Sequence, residues 1–345
     1  MLKYPSTLPP NKALQPTAQP LRSFTSAELQ RCADTLMIRK TLLLLALLIL
    51  GASAYAQTMP EPRTARISDR VYVLLGPIQH ANKNNQGYMI NSTVIIGDKG
   101  VILIDSGGTH QVGRHIAKAI RRITPKPVTH VVNTHSHGDH YLGNSAFGGA
   151  TIISSEKCRA MVVETGYEWL GLMEQLVGRR FPDTKPIAAG VTYQERSRTE
   201  IMLHGIRLVF WVPKGSHTAG DMLVYLPQDK VLVTGDIVVN GIVPVMQDAS
   251  IKNWIGTLGE IQELDVSTFV PGHGDLMTMS DVKALHRAII RFYSGVKVGY
   301  DKGFGESEIR KSLDLTDWEK LERAYVIGRN INRAYLEIEN DSFDQ

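Results

Sequence analysis

The segment 134–140 constrains this chain more than any other part of the sequence, because it reads T-H-S-H-G-D-H. Four side chains of metal-binding type lie within six residues there, namely His135, His137, Asp139 and His140. The β-branched run at 128–133 predicts a strand that ends directly before this segment. In an extended segment, residues two apart point to the same side. His135 and His137 can therefore hold one cation while Asp139 and His140 turn to a second.

Three more candidate ligands follow other predicted strands. His217 lies in G-S-H-T-A-G-D, Asp236 ends the run V-L-V-T-G-D, and His273 lies in P-G-H-G-D. Ligands at the same ends of several strands converge in space, and Asp236 is placed to bridge two ions. Imidazole and carboxylate ligands suit zinc, iron or manganese alike. The other six histidines are expected to have ordinary structural or surface roles: His80, His110, His115, His130, His204 and His286.

The pattern of apolar residues predicts an α/β protein. Strands are expected at 71–75, 88–96, 101–105, 128–133, 151–154, 200–212, 222–226, 231–234 and 268–270. Helices are expected at 111–123, over a long stretch after 154 that ends at 176, at 252–264 and around 282–292. A last helix is expected to open with a capping box formed by Thr316 and Glu319. Two β-rich halves with outer helices indicate a four-layer αββα sandwich in a single domain.

The N-terminal residues are interpreted as a targeting segment and not as part of the folded domain. Arg39 and Lys40 precede an apolar run at 42–50, and an A-x-A pattern at 54–56 follows it, which is typical of a signal peptide over 37–56. The apolar run is shorter than the roughly 20 residues that span a bilayer, so no stable membrane insertion is expected after cleavage. Residues 1–36 are interpreted as a disordered extension or as a mis-assigned start upstream of Met37. The domain 57–345 would then be periplasmic or secreted.

Charge and cysteine content exclude two classes of function. The formal net charge of +4 lies entirely within residues 1–56, and the rest of the chain is neutral. A neutral body offers no general attraction to phosphate polymers, so a nucleic-acid partner is not expected. Two cysteines give neither a disulfide framework nor a four-thiolate zinc site. Cys158 is interpreted as structural, with a nucleophilic role as the alternative.

The motifs taken in order, HxHxDH, then H-T-x-G-D, T-G-D and P-G-H-G, resemble those of the metallo-β-lactamase superfamily of metallohydrolases. The resemblance covers about 67–286, with C-terminal helices at 287–340 beyond it. It implies that His135, His137 and His217 hold a first zinc, that Asp139, His140 and His273 hold a second, and that Asp236 bridges them as in the glyoxalase II-like branch. It also implies that Asp105 orients a ligand imidazole, and Thr134 and Asp221 are further candidates for that role.

The expected function is hydrolysis of a small molecule by two zinc ions. Two divalent cations lower the pKa of the water between them from about 15.7 toward roughly 7, so hydroxide can attack an ester, thioester, lactone or β-lactam carbonyl. Asp139 is the expected catalytic residue, because it would orient this hydroxide. β-Lactam hydrolysis itself is in doubt. Zinc β-lactamases with a cysteine ligand carry Cys at the position of Asp236 and Lys three residues later, where this chain has Val239.

Two alternatives stay open. An iron-dependent persulfide dioxygenase uses the same fold with one iron, although the complete second ligand set argues against a single metal. A non-catalytic metal-binding accessory protein of a periplasmic redox system, such as a quinoprotein system, would bind metal without turnover. For the walls of the site, the Asn- and Gln-rich segment 79–86 predicts a flap and 240–247 a second wall, while 161–177 either covers the site or packs in the core.

Overall fold

A computed structural model of the chain describes residues 25–27, 30–31, 33–41 and 59–343. The chain forms two compact units, Met1–Gln57 and Thr58–Gln345. In the first unit, residues 33–41 are helical. The apolar run and cleavage pattern of the expected signal peptide, and most of the expected N-terminal extension, lie outside the described residues and stay predictions. Among the described residues, no helix has both the length and the apolar character that crossing a bilayer requires.

The second unit contains two β-sheets. The seven-stranded sheet has the order β1-β2-β3-β4-β5-β6-β7 and comprises Arg63–Arg66, Val71–Leu75, Ser92–Ile96, Val101–Ile104, Val128–Val132, Thr151–Ser155 and Val191–Tyr193. The five-stranded sheet has the order β12-β11-β10-β9-β8 and comprises, in chain order, Ser197–Leu203, Ile206–Val212, Leu223–Leu226, Val231–Gly235 and Thr268–Pro271. Pairing is parallel from β4 to β7 and between β11 and β12, and antiparallel elsewhere.

Eight α-helices are present in the part of this unit that the structure describes. They are α1 His110–Ile123, α2 Gly138–Tyr141, α3 Glu156–Val177, α4 Ile251–Ile261, α5 Met279–Asp301, α6 Glu306–Ser312, α7 Thr316–Glu319 and α8 Ile327–Phe343. Two 3-10 turns, Leu142–Ala146 and Ala324–Val326, join some of them. The side chain of Thr109 caps α1 by accepting a hydrogen bond from the backbone N–H of Val112.

The alternation of side chains along the strands creates the layers. In β9, Phe210 belongs to the buried cluster between the two sheets, whereas its neighbour Trp211 belongs to the cluster beneath the outer helices. In β4, Ile102 faces the other sheet and Leu103 packs against α1. Each such fully buried side chain contributes about 1.5–3 kcal/mol to stability.

Helices cover both outer faces of the paired sheets. Helix α1 covers the first sheet, and α4, α5 and α8 pack over the second in one continuous apolar cluster. The expected four-layer αββα sandwich is therefore confirmed.

The last helix is the main departure from the sequence prediction. The chain breaks into α7, a 3-10 turn and α8 where one helix was expected. No capping box forms at Thr316, because that residue is already helical and the preceding Leu315 has no side-chain acceptor. Arg323 adopts a φ of 64°, in the left-handed region, which interrupts the helical path. A capping box does form at the start of α5, between Thr278 and Asp281.

Candidate metal centre

The seven predicted ligands lie together where strands of both sheets end. The segment 134–140 follows β5, Asp236 follows β11, His273 follows β12, and His217 lies in the connection from β9 to β10. All seven residues are buried. Their ligand atoms form a first ligand group, His135, His137, His217 and Asp236, and a second ligand group, Asp139, His140 and His273. Within each group these atoms lie within 4.8 Å of one another.

Each of the five imidazoles is held from outside by an oxygen atom. His135 Nδ1 lies 3.0 Å from Thr134 Oγ1, His137 Nε2 3.0 Å from Asp248 Oδ2, His140 Nδ1 2.8 Å from Asp105 Oδ2, His217 Nδ1 3.0 Å from the carbonyl of Val245, and His273 Nδ1 2.8 Å from the carbonyl of Met89. Carbonyl and carboxylate oxygens only accept, and Thr134 Oγ1 donates its own proton to Asp105 Oδ2, so each outer ring nitrogen carries a proton and donates it. The other nitrogen faces the centre, where it can bind a metal in its unprotonated form.

Several buried polar atoms at the centre have no hydrogen-bond partner among the described residues. They are Nε2 of His135, Nε2 of His140 and Oδ1 of Asp236. Leaving such an atom unsatisfied costs about 1–3 kcal/mol, and these three converge on one region. Asp236 stands between the groups, with Oδ1 3.4 Å from His140 Nε2 and Oδ2 3.7 Å from His217 Nε2. The donor set therefore fits a pair of cations that share one carboxylate.

Burial and charge set the protonation of the ligands. Burial lowers the pKa of His217 to about 3, and the neighbouring His137 acts in the same direction. Burial and the adjacent His140 likewise hold the pKa of His135 well below its usual range. Burial opposes ionisation of Asp139, but His140 and His273 outweigh it and lower the pKa of this carboxyl. His135 and His217 are thus neutral imidazoles at neutral pH, and Asp139 is ionised.

Asp105 ties two parts of the centre together. Its Oδ1 accepts from the backbone N–H of Thr134, and its Oδ2 accepts from Thr134 Oγ1 and from His140 Nδ1, each at 2.8 Å. The backbone of Asp105 has a φ of 59°, a strained value that Asp tolerates better than most residues. The structure therefore places Asp105 against a ligand imidazole and Thr134 between Asp105 and His135.

Asp221 acts on the backbone and touches no ligand ring. Its carboxylate accepts hydrogen bonds from the N–H groups of Ser216 and Thr218 and from Thr218 Oγ1. Burial raises the pKa of Asp221 to about 6. These bonds close the loop that carries His217. Asp221 therefore positions a ligand through the shape of the loop, which differs from the expected contact with an imidazole.

A cavity of about 430 Å³ opens beside Asp139 and Asp236. Helix α3 forms one wall through Trp169 and Met173, while Val162 and Val177 of the same helix pack in a buried cluster, so this segment both covers the site and packs in the core. Tyr167 of the same helix is 74% exposed and does not line the cavity. The predicted second wall supplies Val245 and Gln247.

The segment expected to form a flap is packed against the protein at two positions and exposed at others, such as Lys83. Ala81 and Asn85 are buried, and Asn85 Nδ2 donates to the carbonyl of His80 at 2.9 Å. His80 lines the cavity, which differs from the ordinary role expected for it. The other five histidines outside the centre have hydrogen-bond partners elsewhere: His110, His115, His130, His204 and His286.

Two residues at the site, Asp248 and Arg323, are marked by no sequence motif, and a third residue, Cys158, had two possible roles. Asp248 bonds to His137 although 111 positions separate them, and no motif marks it. The Arg323 side chain is 9% exposed, and its Nη2 lies 3.4 Å from His273 Nε2. Cys158 is buried, and burial raises the pKa of its thiol to about 12, which supports the structural interpretation.

Known proteins share this architecture and these motifs. The sequence profile described as "Metallo-beta-lactamase superfamily" matches residues 86–273. A "Metallo-beta-lactamase type 2" from Elizabethkingia meningoseptica is 26% identical over 243 residues, which are 68% of this chain and 88% of that protein. A "Linear primary-alkylsulfatase" from Pseudomonas sp. is 21% identical over 262 residues, which are 64% of this chain and 49% of that protein.

The fold extends beyond the matched motifs. The solved structure of a stereoselective inverting sec-alkylsulfatase from Pseudomonas sp. superimposes with a TM-score of 0.64 at 19% identity, over 82% of this chain and 52% of that one. The chain spans about half the length of each alkylsulfatase. The profile match covers more than half of the chain and includes the centre's motifs, which confirms the family expected from them. The chain therefore belongs to the metallo-β-lactamase superfamily.

Proposed function

We propose that this protein is a secreted dinuclear zinc hydrolase that cleaves a carbonyl bond, in an ester, thioester, lactone or β-lactam, of a small molecule. At the level of reaction class, the chain is a metal-dependent hydrolase, in line with its family and with relatives named as a β-lactamase and an alkylsulfatase. One observation carries the finer proposal. Seven buried ligand side chains form two groups around Asp236, and each imidazole is fixed from outside.

The centre's own residues supply positioning and proton transfer. Two bound cations would polarise the carbonyl and lower the pKa of a water at the site. Asp139 lines the cavity, is ionised, and has its Oδ2 3.3 Å from His273 Nε2. This carboxylate can accept a proton from the attacking water and return it to the leaving group. Trp169 and Met173 lie over the cavity and restrict bulk water.

Hydrolysis of a sulfate ester is the second candidate. It is favoured by the buried guanidinium of Arg323 beside the second ligand group, together with apolar cavity walls formed by residues such as Leu172 and Val245. A sulfate ester of an apolar alcohol combines these two properties. Two relatives carry the name alkylsulfatase, which supports this candidate without deciding it.

Metal content and turnover, measured on the same preparation, test the proposal. The full chain, purified without added metal, is expected to contain about two zinc ions and to hydrolyse members of a panel of esters, thioesters, lactones, β-lactams and octyl sulfate. Turnover should disappear with a chelator and return with zinc. One iron per chain would point to the dioxygenase, and bound metal without turnover to the accessory protein. Fractionation of cells that express the full chain tests secretion, which predicts activity outside the cytoplasm.

A further inference from the structure

Arg323 is a buried charge that the metal centre does not use as a ligand. It lies beyond residue 273, where the family profile ends. Its backbone is left-handed, and it directly precedes the 3-10 turn Ala324–Val326. Its Nη2 lies 3.4 and 3.5 Å from the two ring nitrogens of His273, so the guanidinium rests against this imidazole. The side chain reaches the cavity that contains Asp139 and Asp236.

The charge of Arg323 is poorly matched within the protein. The one carboxylate oxygen within 4.0 Å of it in the described part of the chain is Oδ2 of Asp139, which belongs to the second ligand group. Its Nε is buried and has no hydrogen-bond partner among the described residues. A buried guanidinium without a full partner is costly, and its planar set of donors matches an oxyanion. A partner is therefore expected from outside the chain.

The balance of charge around the cavity favours an anion. Three carboxylates line it, those of Asp139, Asp236 and Asp248, together with the guanidinium groups of Arg323 and Arg329. Two divalent cations in the ligand groups would reverse this small negative balance. The rest of the lining is largely apolar and includes Met89, Trp169 and Val245. The cavity then suits a molecule with one anionic group and an apolar body.

We propose that Arg323 binds an anionic oxygen group of the substrate, a carboxylate or a sulfate, and thereby determines which substrates this enzyme accepts. The inference rests on the proposed function, because the anion is placed beside the bond that is cleaved. Arg323 is preferred over Arg329, which lines the same cavity but is exposed, because a hydrogen bond to a charge is stronger where water is excluded. Arg323 lies outside the metal-binding motifs, so the motifs alone do not reveal this specificity.

Two esters with the same leaving group test the proposal on the zinc-loaded full chain. 4-Nitrophenyl hemisuccinate carries a carboxylate, and 4-nitrophenyl butyrate is its neutral counterpart. Arg323→Gln should lower kcat/KM for the hemisuccinate by about 10- to 100-fold, mainly through KM, and should change the butyrate value by less than about threefold. Arg323→Lys should restore part of the loss. Arg287→Gln removes an exposed charge that does not line this cavity and should change either ester by less than about threefold.

A binding measurement separates this inference from the proposed activity. Succinate and butyramide, an uncharged compound of the same chain length, are titrated calorimetrically into the wild type and into Arg323→Gln. Selective weakening of succinate by about tenfold or more supports the anion site, even if no ester is hydrolysed. Equal binding by both proteins overturns it, even if esters are hydrolysed.

A sulfate ester distinguishes recognition of sulfate from recognition of a carboxylate. The comparison of the two nitrophenyl esters distinguishes anion binding by Arg323 from a purely structural role. Octyl sulfate replaces the hemisuccinate if sulfate is the group recognised, and its hydrolysis, followed as released sulfate, should then show the same dependence on Arg323. An equal loss of activity on both esters in Arg323→Gln would mean that Arg323 only supports the centre, and it would overturn the proposal. Zinc content and melting temperature of each variant show whether such a loss comes from damage to the fold.

Discussion

Asp248 Oδ2 lies 3.0 Å from His137 Nε2, and as a result His137 presents Nδ1 to the centre, 3.1 Å from His217 Nε2. The other four imidazoles are held through Nδ1 and present Nε2. The His137 hydrogen bond also lowers the pKa of Asp248, so the acceptor is a carboxylate at neutral pH. Asp248 thus fixes which nitrogen of this candidate ligand is available.

Removing that carboxylate should weaken metal binding without removing a ligand. We expect Asp248→Ala to reduce zinc affinity by about 10- to 100-fold, as loss of a group that orients a ligand does. Competition with a chromophoric chelator measures the change. Asp183→Ala, at an exposed aspartate, is the matched control and should leave the affinity unchanged. Wild-type affinity in Asp248→Ala would show that His137 does not need this hydrogen bond.

Zinc binding and stability should depend on the carboxylate of Asp105 more than on the strain of its positive φ. Asp105→Ala leaves the donors of Thr134 and His140 without their acceptor, at about 1–3 kcal/mol for each buried group, and keeps an unfavourable φ. Asp105→Gly removes the same carboxylate and relieves the φ. Both variants should bind less zinc than the wild type and melt at lower temperature. Recovery of wild-type metal content in the glycine variant would assign the effect to backbone strain.

Gly272 leaves room for the carboxylate that stands between the two ligand groups. A Cβ at this position would collide with Oδ1 of Asp236 and crowd the backbone of Gly235. Gly272→Ala should therefore displace Asp236, lower zinc content and destabilise the fold by about 1–3 kcal/mol. Gly256→Ala, at a helical glycine with open space around it, should bind normal zinc and gain stability. Metal analysis and chemical denaturation of both variants compare them directly.

The thiol of Cys158 should be inert while the protein is folded. Burial raises its pKa to about 12, so at pH 8 almost none of it is thiolate. In a full-length Cys32→Ser background, the thiol reagent DTNB should react at least about 100-fold more slowly with the native protein than with the unfolded protein in guanidinium chloride. Rapid labelling of the native state would return the nucleophilic alternative to consideration.

Two substitutions at candidate ligands separate turnover from folding. Asp139→Ala and His137→Ala should each remove most of the hydrolytic rate, because one takes away the proposed proton carrier and the other a ligand of the first group. The metal-free proteins should still fold, since like the wild type they retain the buried clusters between and outside the sheets. Kinetics on the best panel substrate and circular dichroism test both statements. A full rate in either variant contradicts the assignment.

Four of the candidate ligands lie together for a local physical reason. His135, His137, Asp139 and His140 are adjacent along the chain, so their relation depends on one strand and the short segment after it. Parallel pairing of β4, β5 and β6, and of β11 and β12, brings strand ends to common edges, which is why ligands at these ends converge.

The residues that escaped the sequence analysis are those that reach the site over long sequence distances. Asp248 acts on His137 and Arg323 on His273 through tertiary contacts that no periodicity encodes. The edge strand β1, R-T-A-R, was not predicted, because its residues are largely exposed and lack an apolar face. Single-helix periodicity over 316–335 concealed the break at Arg323, whose left-handed backbone has no signature in the residue type.

The cavity is built from two separate stretches of the chain, and the break before α8 brings the second of them to it. The candidate ligands all come from residues up to 273, whereas Arg323, Tyr325 and Val326 enter the cavity from the C-terminal stretch. Selection can therefore alter the C-terminal stretch, and with it the substrate, while the metal-binding residues stay unchanged. Exchange of this stretch between relatives offers a direct way to redesign substrate choice on a conserved hydrolytic centre.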